Sequence, residues 1–436
     1  MSSSCFSILF GDLLIWEENL SQKVATQANA DIDSILFTVS HSHSTISGLY
    51  YNFMQNLLLG WKDKEMQDYM IEKMGSAIAY TRKYENQVQV DVRSESISLS
   101  GSNGQFEDRL RGGTDIMIPI STVLIRNSSS HEMEGIMTFV STHPTIYTYD
   151  FYSPSTGGYL AAEFAQVYLN THSITPSSSF VSSFAVGAVA SVRKRDKYLG
   201  CSFHEDSCVV EMTKCGAATL ARIMVANMCG YDPDNTNDLA LGNDPLSFSF
   251  METSTMSSST IASKCGLSSY NTPISTSPSP IDLKYCSDWT SSAQIGWTSE
   301  EIKLPVWGEY RFIRGKDIMA PPPLISSFLP RSQYITAVRI GDLMFIGIPG
   351  EVSLHIPNEV LNEFYSSGTN ELSDSTNSIS HFVVSAFNRD WCGYYVKSED
   401  YDTYTDSLEC YDENFVGRNF GDHMEQLLRV MVGLEE

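Results

Sequence analysis

Apolar and polar positions mix the strand period of two with the helix period of about 3.6 along the whole chain, with no internal repeat and no linker long enough to divide it. Between Trp61 and Asn86 the residues Met66, Met70, Met74 and Ile78 recur every fourth position, which places them on one helical face. Further helices are expected from Gly157 to Asn170, Met212 to Met228, Ile356 to Phe364 and Phe420 to Val432, the last amphipathic. Ile335 to Ile348 is two apolar runs around Gly341-Asp342, a hairpin signal. Phe6 to Phe10 reads as a buried strand starting almost at the initiator methionine, as though an upstream strand were missing, so a fragment or truncated gene is expected. Met251 to Pro280 is rich in Ser, Thr and Pro with little to bury, and reads as a surface insertion or loop. The expected fold class is mixed α/β: one large domain over residues 1–436, its β-sheets flanked by helices and its candidate site at strand-end loops.

Composition narrows the classes. With 42% hydrophobic and 18% charged residues the chain is globular, and a net charge of −24 makes nucleic acid an improbable partner. No apolar run reaches the length of a membrane-spanning helix, although peripheral contact with lipid stays open. The N-terminus lacks the features of a secretory signal. Nine cysteines without a C-x-x-C pair point to disulfides: Cys201, Cys208, Cys215, Cys229, Cys265, Cys286, Cys392 and Cys410 with connectivity open, and Cys5 odd. Asn19 and Asn127 open glycosylation sequons, a short pattern of little weight.

Four strand-like runs end just before a residue capable of chemistry. Ile35–Val39 leads to His41 and His43, Ile136–Val140 to His143, the hairpin to Pro349-Gly350-Glu351, and Phe382–Phe387 toward Tyr394. In an extended backbone His41 and His43 would point to the same side, toward one cation. Each feature has a plainer reading: the histidine pair as a hydrogen-bonded loop, His143-Pro144 as a turn, Glu351 as a first-turn helix acid. Two histidines and a glutamate together are nevertheless the ligand set of catalytic zinc hydrolases, which keep a position for water.

These residues resemble the neutral ceramidases, zinc-dependent amidases that split ceramide into sphingosine and a fatty acid. Val39-Ser-His-Ser-His-Ser44 is similar to the family's S-x-T-H-T-H-S, and Phe139-Val-Ser-Thr-His-Pro-Thr145 to its F-A-x-H-P-T. Ser155-Thr-Gly-Gly-Tyr159 resembles S-x-D-x-x-G-Y, and Phe180-Val-Ser-Ser-Phe-Ala185 resembles F-V-A-A-F-A. Arg339-Ile-Gly-Asp-Leu343 and Ile348-Pro-Gly-Glu351 match R-I-G-x-L and V-P-G-E, and Gly393-Tyr394 with Tyr401 resembles G-Y-x-T-x-x-E-E-Y. The order and rough spacing agree from about residue 6 to the C-terminus.

The resemblance implies one zinc ion held by His41, His143, Glu351 and Tyr394, with His43 beside it as a second active-site histidine. It makes Arg109, in Asp108-Arg109, the counterpart of the substrate-facing arginine of an N-R-S motif, and Tyr411 that of the tyrosine in R-Y-E-G. The implied substrate is ceramide or a related N-acyl lipid, and the implied location is secreted or at the cell surface. The resemblance covers chiefly the family's catalytic domain, so no C-terminal immunoglobulin-like domain is expected. One segment departs from the pattern. Where the family continues N-x-G-D-x-S-P, the chain reads Val186-Gly-Ala-Val-Ala-Ser-Val-Arg-Lys194, so that Ser191 replaces the aspartate and Arg193 the serine. A bulky cation there would block or repurpose the pocket. That leaves an alternative, a catalytically silent protein binding lipid or a partner, and a blander one, a structural glycoprotein whose histidines are satisfied loop residues.

Overall fold

The structure is a computed structural model that describes residues 7–11, 20–42, 63–83, 88–98, 106–113, 116–144, 155–172, 174–194, 217, 220–221, 224, 295–303, 309–313, 316–319, 332–340, 343–367, 379, 381–389, 393–403 and 419–434. The cysteines, Asn19, His43, Tyr411 and the Met251–Pro280 segment lie outside the described residues. The first third of the chain runs β1 (Ser7–Gly11), α1 (Leu20–Ala28), β2 (Ile35–Val39), α2 (Lys64–Lys83), β3 (Val88–Ser98), β4 (Phe106–Asp108), β5 (Met117–Asn127) and β6 (Met133–Val140). There follow α3 (Ser155–His172), β7 (Pro176–Val186), β8 (Val192–Lys194), β9 (Ile295–Lys303), β10 (Glu309–Ile313), β11 (Lys316–Met319), β12 (Ser332–Ile340) and β13 (Leu343–Gly347). The last elements are β14 (Glu351–Val352), α4 (His355–Ser367), β15 (His381–Ser385), β16 (Tyr394–Tyr395), α5 (Ser398–Thr403) and α6 (Phe420–Met431).

Two four-stranded sheets, ordered β3-β5-β6-β7 and β15-β13-β12-β9, form the centre. Strand periodicity decides how they stack. In β5, Ile118, Ile120 and Leu124 join the cluster that holds Leu160 and Phe164 of α3, whereas Val123 joins the cluster shared with the second sheet. In β13, Leu343 and Phe345 turn toward the first sheet, whereas Met344 and Ile346 meet α4 and α6. Each sheet therefore carries a helical layer on its outer face, the mixed α/β architecture expected from the sequence. Phe139 of β6 and Phe345 of β13 meet across the inter-sheet space with ring centroids 5.5 Å apart. Burying a side chain of this kind contributes about 1.5–3 kcal/mol.

The expected helical face of α2 is present, with Met74 and Ile78 buried and Met66 and Met70 packed beside them against α1 and β2. Ala217, Leu220, Ala221 and Met224, within the helix expected from Met212, are helical and buried in the α3 cluster. The hairpin is likewise present, since β12 and β13 pair antiparallel out to Ile340 opposite Leu343. β2 is buried along its whole length and pairs parallel with β1. Its sides divide among clusters, Leu36 entering the inter-sheet core and Ile35 and Phe37 meeting α1 and α2. A strand buried all round has only its ends free for chemistry.

At the C-terminal end, α6 fastens β16. Phe420 packs on Tyr395 with ring centroids 5.1 Å apart, and Ser398 N–H donates to Asp422 Oδ1 at 2.9 Å. Burial works to lower the Lys397 ammonium pKa, but hydrogen bonds from it to Glu359 of α4 and Glu425 of α6, with their charges, outweigh that and raise it. Gly421 permits the approach, because a Cβ there would lie 1.8 Å from the Val396 carbonyl oxygen. Gly421→Ala is therefore expected to lower stability by about 1–3 kcal/mol through overpacking. Thermal unfolding measures this, and an unchanged midpoint would contradict the docking described.

Candidate metal centre

His41 lies two residues beyond the end of β2 and is 1% exposed. Its φ of 56° is left-handed, so the extended geometry expected across His41 and His43 does not hold at His41. The chain leaves the strand before the histidine, and the strand period no longer sets where the ring points. The ring instead packs against Phe387, with centroids 4.6 Å apart and planes tilted by 37°. Phe387 has a φ of 61°. The apolar run that suggested a strand through Phe387 is strand only to Ser385, and the turn that follows delivers the phenyl ring to His41. Left-handed conformations cost non-glycine residues about 1–3 kcal/mol, and they persist where surrounding contacts over-determine them.

His143 follows β6 and is held through its backbone, its N–H donating to the Val192 carbonyl at 2.7 Å. Glu351 follows the turn at Pro349-Gly350, where Gly350 has a φ of 76°. It is the first residue of β14 and not a first-turn helix acid, since α4 begins at His355. β14 pairs parallel with β16, and Glu351 and Tyr394 are direct partners. Glu351 N–H donates to the carbonyl of Gly393 at 2.9 Å.

These connections bring three candidate ligand residues together. His41 Nε2 lies 2.9 Å from His143 Nε2 and 3.7 Å from Glu351 Oε2. One ligand atom from each residue falls within 4.8 Å of the others, and all three residues are buried. Zinc bound to nitrogen or carboxylate oxygen at about 2.0–2.1 Å in a tetrahedral site sets its ligand atoms about 3.3–3.4 Å apart. The separations of 2.9 and 3.7 Å straddle that edge. The donor set, two imidazoles and a carboxylate, is the one that suits a catalytic zinc site. Tyr394 is buried beside Glu351, and the Arg109 guanidinium carbon lies 5.8 Å from its ring centroid.

The segment that departs from the expected pattern holds this assembly in place. Arg109 N–H donates to the Ser191 carbonyl at 2.7 Å, and Arg109 Nε donates to the Ala190 carbonyl at 2.8 Å. Ser191 is fully buried, its hydroxyl 2.8 Å from that of Ser353 and accepting from Leu354 N–H at 3.2 Å. Arg193 pairs through its backbone with Glu107, between β8 and β4, and its side chain lies outside the described residues. Two contributors had no signal in the sequence reading: Phe387, concealed in a strand-like run, and His355, which meets Asp108 Oδ2 at 2.8 Å.

Among solved structures, the chain is similar to neutral ceramidase from Pseudomonas aeruginosa, with a TM-score of 0.59 and 13% identity over 96% of this chain and 64% of that one. It is similar also to a ceramidase complexed with C2, with a TM-score of 0.59 and 12% identity over 96% of this chain and 65% of that one. The chain thus spans less than two thirds of the length of either structure. No protein-family profile and no curated protein matches it. The likeness is one of fold, and it agrees with the fold that the ordered sequence motifs imply.

Proposed function

We propose that the chain is a zinc-dependent amide hydrolase that cleaves the N-acyl bond of ceramide, releasing sphingosine and a fatty acid. The observation that carries this reading is the buried convergence of His41, His143 and Glu351 within a ceramidase-like fold. In the proposal these three residues and Tyr394 hold one zinc ion. Zinc, when bound, lowers the pKa of water to about 7 and polarises a carbonyl as a Lewis acid. The protein's own groups supply the rest. Arg109, held by the Ala190 and Ser191 carbonyls, presents a fixed cation to the negative charge that develops on the amide oxygen. Phe387 and the buried strand ends keep bulk water away from the histidines. His43 and Tyr411 are proposed as the groups that pass a proton to the departing amine. A secreted or cell-surface location with disulfides, and contact with the lipid surface that holds the substrate, belong to the same proposal.

A second reading follows from Ser191. Its hydroxyl is committed to Ser353, where an aspartate was expected from the resemblance, so the chain would keep the metal and bind lipid or a partner without turnover. Metal analysis of the purified protein, combined with release of labelled fatty acid from ceramide, separates the readings. Stoichiometric zinc with zinc-dependent release is expected. Zinc without release would favour the silent protein, and a protein that binds no zinc would refute both.

A further inference from the structure

Asp108 uses its two carboxylate oxygens for different tasks. Oδ1 accepts the N–H groups of Leu110 and Arg111 at 2.9 and 3.0 Å, closing the turn that carries Arg109. Oδ2 lies 2.8 Å from Nε2 of His355, the first residue of α4 and the fourth after Glu351. Both side chains are largely buried, 8% exposed for Asp108 and 16% for His355. A second fastener runs in parallel, from the Ser353 hydroxyl to that of Ser191, whose carbonyl holds Arg109 N–H. The segment that supplies Glu351 is thus tied twice to the turn that supplies Arg109.

We infer that the Asp108–His355 pair is a positioning device, which sets the Arg109 guanidinium against the acyl oxygen or carboxylate of the bound lipid. The inference rests on the proposed reading of the centre. Packing alone at this position would be served by an apolar residue. The carboxylate of Asp108 suits that helix end, and it spans from the turn to α4 with a directional bond that an apolar contact lacks. Neither residue touches the reacting atoms. Their effect passes through Arg109, whose Nε donates to the Ala190 carbonyl and whose guanidinium carbon lies 5.8 Å from the ring centroid of Tyr394.

The test uses the full, zinc-loaded chain and octanoate, a short fatty-acid anion, titrated calorimetrically. His355→Leu is expected to weaken octanoate binding about tenfold, or ~1.4 kcal/mol. His355→Gln, whose amide can still donate to Asp108, should stay within about threefold of wild type. Zinc affinity, read by chelator competition, should change less than about twofold in either variant, because the pair makes no ligand bond. In an Arg109→Ala background, His355→Leu should add no further loss, since coupled residues are not additive. Additive losses, a parallel fall in zinc affinity, unaltered binding in His355→Leu or no octanoate binding by wild type would each overturn the positioning role. If His355→Leu fails to fold, His355→Gln against His355→Asn, which cannot reach as far, carries the same comparison. A wild-type protein that releases no fatty acid from ceramide yet shows the non-additive pattern would sink the amidase reading while supporting the clasp.

Discussion

If the proposed function holds, replacing Glu351 with alanine is expected to remove zinc and amide hydrolysis together. The carboxylate supplies one of three ligand atoms gathered within 4.8 Å. Loss of groups that only orient ligands weakens metal sites by about 10–100-fold, so loss of a ligand should exceed about a hundredfold. Hydrolysis should fall by at least about a thousandfold, or ~4 kcal/mol in the barrier. Removing only the charge of Glu351 has an opposite face. A carboxylate 3% exposed carries a desolvation cost that metal binding offsets. In metal-free protein Glu351→Gln is therefore expected to be neutral or stabilising, whereas in excess zinc the wild type gains about 4 kcal/mol at a thousand times its dissociation constant and the variant far less. Melting curves with and without zinc measure both effects. A wild type whose midpoint ignores zinc, or an alanine variant that keeps full activity, would contradict the centre.

Much of this is legible in the sequence, for reasons specific to each residue. Met66, Met70, Met74 and Ile78 showed their helix because a helix packed on one side must repeat its apolar positions. The turn between β12 and β13 showed because Gly341-Asp342 interrupts two apolar runs. His41, His143 and Glu351 stood out because each follows a strand-like run with a side chain capable of chemistry, and because two histidines and a glutamate together suit a catalytic zinc. What stayed hidden depends on backbone conformation and distant pairing. The left-handed turns at His41 and Phe387 have no composition signature in non-glycine residues, and they redirected a histidine whose orientation the strand period had set. The Asp108–His355 bond joins positions 247 residues apart, and the 3-residue strands β4 and β8 that bring Asp108 there are too short for periodicity to register. The structural part played by Ser191 also stayed hidden, because sequence alone cannot show that its hydroxyl reaches Ser353 and that its carbonyl holds Arg109.

Phe387→Ala should strike both stability and the metal site, and its two effects are separable. The ring is fully buried, lies against His41, and belongs to the cluster that holds α3 on the first sheet. Deleting such a phenyl group costs about 3–5 kcal/mol. The site effect has another origin. Phe387 N–H donates to the Gly350 carbonyl at 3.1 Å, directly before Glu351, and the ring is the surface on which the left-handed His41 rests. Alanine keeps the backbone bond and removes the ring. The carboxylate should then stay in place while His41 gains room to relax toward a commoner backbone conformation, which releases strain and widens the 2.9 Å gap to His143. Zinc affinity is expected to fall about 10–100-fold, as for other groups that orient a ligand. Phe387→Leu should recover most of the stability, because it refills the volume, but less of the affinity, because it offers no flat face to an imidazole. Chemical denaturation of the metal-free proteins and chelator competition on the loaded ones give the two quantities independently. If affinity followed stability in strict proportion across phenylalanine, leucine and alanine, the ring would be ordinary core and the placement of His41 would owe nothing to it.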